Sequence, residues 1–142
     1  TQVTEVERES IKELLPPLAA LQTLATKIAC SRIDDETISE LEDINDRFAK
    51  AIRSESYYSA LKIDETFHQV IVDASNNSYI KRIISLLQAH VRRHFFHNGI
   101  ILTESSITDH QEIIKALKEK NPDKAGEIIE ENWLRTLQLL SD

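Results

Sequence analysis

Apolar residues recur along the chain at intervals of three and four, and short polar interruptions fall at 16–17, 31–34, 54–56, 76–77 and 121–122. That spacing gives each segment one face to bury, as in an amphipathic helix. A first helical stretch covers about 4–15. A second opens at Pro16 and Pro17, since a first turn tolerates proline where its N–H groups have no helical partner. Leu18, Leu21, Leu24, Ala25 and Ile28 make its inward face. Asp34 or Asp35 can cap a helix to about residue 53, along which Ile38, Leu41, Ile44, Phe48 and Ile52 step by three or four. The next helix is expected over Tyr57–Ala74. Asn76, Asn77 and Ser78 supply cap chemistry for another, with the stripe Ile80, Ile83, Ile84, Leu87 and Val91 and an end or bend near Asn98–Gly99. The last two run from about 104 to 120, stopped by Asn121–Pro122, and from Pro122 or Asp123 to Leu140. The pattern predicts an all-α antiparallel bundle of six or seven helices, one domain over 1–142.

Three of the inward faces are interrupted by polar residues. On the helix over Tyr57–Ala74 the stripe reads Ala60, Leu61, Asp64, Phe67, His68, Ile71, which sets a carboxylate and an imidazole side by side among core positions. His110 sits between Ile107 and Ile114 in the same way, and Asn132 follows Ala125, Ile128 and Ile129. Buried charge is costly unless paired, hydrogen-bonded or bound to metal. Two imidazoles, one carboxylate and the carboxamide oxygen of Asn132 suit zinc, nickel, manganese or iron, with positions left for water or a small ligand. The simpler alternative is an i,i+4 pair of Asp64 with His68 at the bundle edge and an ordinary core His110. A second set, His90, His94 and His97, flanks the apolar stripe of the fourth segment. Arg93, nearer that strip than Arg92, is the candidate clamp for the carboxylate of a small acid.

Composition narrows the function. The chain has 142 residues, 41% apolar and 29% charged, and a net charge of -7, the wrong sign for a surface that neutralises phosphates. Two glycines are too few for a P-loop, a dinucleotide fingerprint or a turn-rich barrel. Cys30 is the single cysteine, so an intrachain disulfide is excluded and a reducing cytoplasm is the simpler location. No apolar run approaches a membrane span, and no leader is visible. No nucleophile motif emerges. A chain that starts at Thr1 and lacks methionine is expected to be part of a longer protein.

The order Asp64-Glu-Thr-Phe-His68, then Ala74-Ser-Asn-Asn77, then Asp-His110-Gln-Glu-Ile-Ile-Lys-Ala-Leu, then Asn-Pro-Asp-Lys-Ala125 and on to Asn132, resembles the FCD domain. That domain is the C-terminal effector domain of FadR-subfamily GntR transcription regulators. The resemblance implies a helical bundle, a homodimer and a small effector, often a carboxylate metabolite, held in a central pocket. It also implies a divalent metal, with Asp64, His68, His110 and Asn132 at the ligand positions; Asn132 stands where the family pattern has histidine. The effector would lie near Arg93, His90 and His94, and operator DNA would meet only an N-terminal winged helix-turn-helix outside this chain. The expected protein is therefore a regulator and not an enzyme. The alternatives are a metal-free effector domain, a metal-dependent helical-bundle enzyme and a purely structural helical module.

Overall fold

The computed structural model describes residues 5–98 and 102–141. Among them are six helices: α1 Glu5–Cys30, α2 Asp35–Arg53, α3 Tyr57–Ala74, α4 Ser78–Asn98, α5 Glu104–Lys118 and α6 Pro122–Ser141. The Asp34 carboxylate caps α2 by accepting from the Thr37 N–H at 2.8 Å. Asn77 does the same for α4 through Tyr79 and Ile80, and Asn121 caps α6 through Lys124. Glu55, Asn76 and Lys120 take the left-handed conformation that closes α2, α3 and α5. The His97 side chain, Gly99 and the side chains of Leu139 and Leu140 lie outside the described residues.

Pro16 and Pro17 do not open a separate helix but lie inside α1. Both are exposed, so the carbonyls that lose their helical partners face water. The stripe Ile11, Leu15, Leu18, Gln22, Ala25, Ala29 runs unbroken past them and is buried along its length. Burying a large aliphatic side chain is worth about 1.5–3 kcal/mol, so Ile11, Leu15 and Leu18 together are of the size needed to offset two proline costs of about 3 kcal/mol each. This stripe also displaces Leu24, which is 47% exposed rather than inward-facing. On α4 the buried edge is Ile80, Ile84 and Val91, and Ile83 turns outward.

α1 makes its most extensive contact with α6, and the main core gathers α1, α4 and α6 with parts of α2, α3 and α5. Small residues set this spacing. A Cβ on Gly126 would stand 2.6 Å from Lys27 Cε and 3.3 Å from Thr23 Cγ2. The buried hydroxyls of Thr23 and Thr26 donate to carbonyls one turn back, so the interface carries no unmet donor there. A smaller core of Phe48, Ala49, Ala51, Ile52, Ala60 and Ile107 lies among α2, α3 and α5. No described helix is long and apolar enough to cross a membrane.

Gly126→Val should displace the Lys27 side chain and crowd Thr23 Cγ2, lowering stability by about 1 kcal/mol in urea unfolding. An unchanged midpoint would mean that the helices have room to spare.

Candidate metal centre

Asp64 and His68 lie one turn apart on α3, and His110 reaches them from α5, as the inward stripes predicted. One ligand-type atom from each lies within 4.8 Å of the other two. Asp64 Oδ1 is 2.8 Å from His110 Nε2 and 3.4 Å from His68 Nε2. The 2.8 Å contact is a hydrogen bond between His110 and Asp64. Metal–ligand bonds of about 2.1 Å give ligand–ligand edges of about 3.0 to 3.4 Å, so a cation that took the place of its proton would need only a small opening of these separations.

The walls are aromatic. The His110 ring is fully buried, stacked on Phe67 at 4.0 Å between centroids and tilted against Phe48 at 4.7 Å. His68 is 4% exposed, and neither of its ring nitrogens has a hydrogen-bond partner. Its Nε2 lies near Asp64 but outside hydrogen-bond geometry. A buried imidazole left without a partner costs free energy, and a metal ion would remove that cost. The donor set, two neutral nitrogens and one carboxylate, matches a transition-metal site with open positions.

Burial works to raise the Asp64 pKa, but the neighbouring His68 and His110 outweigh it and hold the carboxyl well below its usual range. Burial pushes the His110 pKa down, against the opposing pull of Asp64. Both shifts favour the ligating forms, carboxylate and neutral imidazole.

Around these three are residues that the sequence did not single out. Asn45, 5% exposed on α2, places its Oδ1 2.9 Å from His110 Nδ1. It lies in the strict three-four series Ile38, Leu41, Asn45, Phe48, Ile52, and that register was the signal available for it. A cavity of about 20 Å³ is lined by Leu61, Asp64, Glu65, His68, Gln88, Arg92 and Trp133. The Trp133 indole N–H is buried without an acceptor.

The arginine at this cavity is Arg92, not Arg93. Arg92 forms a forked pair with Glu65, its Nε 2.8 and 2.9 Å from the carboxylate oxygens. The preference for Arg93 rests on its nearness to the His90–His94 strip, whereas the cavity meets α4 along Gln88 and Arg92. Arg93 and His90 are exposed, His94 is buried, and none of the three lines the cavity. Asn132 donates its side-chain N–H to Asp109 at 3.0 Å, and Asp109 also pairs with Arg135. That engagement ties α6 to the residue beside His110.

A family model described as the FCD domain matches residues 13–134. The chain belongs to the FCD domain family. Its fold is that of two solved structures. Streptococcus agalactiae GntR aligns with a TM-score of 0.82 and 19% identity, over 96% of this chain and 62% of that one. E. coli McbR/YncC aligns with a TM-score of 0.80 and 18% identity, over 91% of this chain and 63% of that one. The FCD chain thus spans under two thirds of the length of either. No curated protein sequence matches it.

His68→Ala and His110→Ala should each lower zinc affinity by roughly 100-fold or more, and Asn132→Ala by less than about tenfold, in chelator competition. Affinity should also fall in acid as protons compete for the ligand nitrogens, and because burial depresses the His110 pKa its share of that loss should come below the ordinary imidazole range. Equal affinities in all three variants would remove the metal site.

Proposed function

We propose that the protein is the effector-sensing part of a GntR-type transcription regulator, with a divalent metal held by Asp64, His68 and His110. The observation that carries this reading is the buried His68, without a hydrogen bond at either ring nitrogen, beside a carboxylate and a second buried imidazole. Zinc, nickel and manganese all suit the donors, and water or an effector oxygen completes the shell. The Asn132 oxygen is at most a weak further ligand, since its amide is already held by Asp109.

The effector is a small acid that reaches the metal through the cavity beside Trp133. Its carboxylate takes the place of Glu65 on Arg92, because a guanidinium binds either carboxylate by the same forked geometry. About 20 Å³ holds roughly one water, so entry requires the Glu65–Arg92 pair to part and α3 to shift against α4. An effector biases a regulator only through its differential affinity for the two arrangements. The separation of α3 and α4 is the coordinate on which that difference is built, and their mutual contact is small. The acidic chain leaves operator DNA to a separate N-terminal domain.

A chelating hydroxy acid such as citrate should raise the melting temperature of the zinc-loaded protein, and Arg92→Ala should remove most of that rise. No rise with any of a panel of mono-, di- and tricarboxylates would sink the reading.

The same reading includes a homodimer. Tyr79, Ile83 and Leu86 are exposed by 72%, 46% and 64% at i, i+4 and i+7 on α4. One apolar row on one helix is a surface that a second copy covers with gain. Leu86→Glu should shift the protein toward monomer in sedimentation equilibrium; an unchanged mass would place the contact elsewhere.

A further inference from the structure

The metal-ligating nitrogen of His110 is selected by a residue on a third helix. Asn45 Nδ2 donates to the Ile107 carbonyl at 3.4 Å, and Asn45 Oδ1 faces His110 Nδ1 at 2.9 Å. The reversed amide would set its oxygen against the Ile107 carbonyl, two acceptors with no proton between them. The Ile107 carbonyl therefore fixes which way the amide points. With its oxygen toward the ring, Nδ1 has to carry a proton. Nε2 is then the nitrogen that faces Asp64 Oδ1 at 2.8 Å, a contact that needs either a proton or a cation between the two atoms, and a cation can replace that proton while Nδ1 keeps its own.

The ring has little freedom to choose otherwise. Phe67 stacks on it, Phe48 lies tilted against it, and it is wholly buried, so the side chains at its edge decide where the proton sits. Without an acceptor at Nδ1, a neutral His110 would keep its proton on Nε2 and donate it to Asp64, which blocks the atom a metal needs. A hydrogen bond to the far ring nitrogen also raises ligand basicity.

We propose that Asn45 is the positioning residue of the centre: it holds the His110 proton on Nδ1 and so presents Nε2 to the cation. The proposal rests on the metal reading above.

Long-range ¹H–¹⁵N spectra of the protein with and without zinc, together with zinc affinities of Asn45→Leu and Asn45→Asp, test it. The wild type should show a protonated His110 Nδ1 in both states, with zinc moving the Nε2 resonance. Asn45→Leu should lose roughly 10- to 100-fold in zinc affinity and carry the proton on Nε2, whereas Asn45→Asp, which keeps an acceptor, should stay within about threefold of wild type. An unprotonated Nδ1 in the wild type overturns the proposal, as does Asn45→Leu that binds zinc at full strength. Should Asn45→Leu fail to fold by circular dichroism, the wild-type spectra and the Asn45→Asp affinity decide alone. A wild type that takes no zinc brings down the metal reading and the role together, while the metal-free spectrum separately reports whether Asn45 holds the proton.

Discussion

A carboxylate and two imidazoles enclosed by aromatic and aliphatic walls are costly to keep out of water. Their mutual placement is the constraint around which the helices are arranged. α3 contributes two of them on a single turn. α5 brings the third across, and the ring of that residue is closed off by Phe48 of α2 and Phe67 of α3. The smaller hydrophobic core of α2, α3 and α5 thus does two things: it packs these helices, and it removes solvent from His110. With water gone, each remaining hydrogen bond at the ring edge matters more, the one between Asn45 and His110 included.

The remaining helices divide their work. α1 and α6 approach closely over Gly126, Ala25 and Ala29 and form the frame. Such close packing resists displacement, because small shifts there produce overlaps rather than gradual change. α4 is different. It meets α3 over a small area, and its Arg92 holds Glu65 across the gap, next to Asp64. A bond between two partly exposed charged groups is worth little on its own and exchanges readily for another carboxylate. Close packing is thus concentrated in α1 and α6, while the Glu65–Arg92 pair joins the loosely packed α3 and α4 next to Asp64.

Asn132 occupies the position at which the FCD pattern, as read from sequence, has a histidine. Its neighbourhood makes the exchange understandable. Asp109 accepts from both Asn132 and Arg135, so α6 is fastened to α5 immediately beside His110. Next to it, Trp133 is 6% exposed, with its ring near His68 and its N–H unmet at the cavity. In this chain α6 holds α5 and lines the cavity, and in the proposed site ligation is left to Asp64, His68 and His110.

Much of this was legible along the chain. Three-four spacing specified the helices, Asp34 and Asn77 marked starts because a side-chain oxygen there meets backbone N–H groups without long-range help, and Asn121–Pro122 marked the stop of α5. Asp64, His68 and His110 stood out because each interrupts an apolar stripe, and a stripe is a local property of one helix. The tertiary structure alone decided the rest. Pro16 and Pro17 stayed inside α1 because α4 and α6 reward an unbroken buried stripe, a gain invisible in local propensity. Leu24 and Ile83 turned outward because the facing helices, not the helix's own most apolar line, set which side is covered. Arg92 rather than Arg93 reached the cavity because its partner, Glu65, lies on another helix. Asn45 found His110 only through the crossing of α2 over α5. Periodicity states which residues share a face; it does not state what that face will meet.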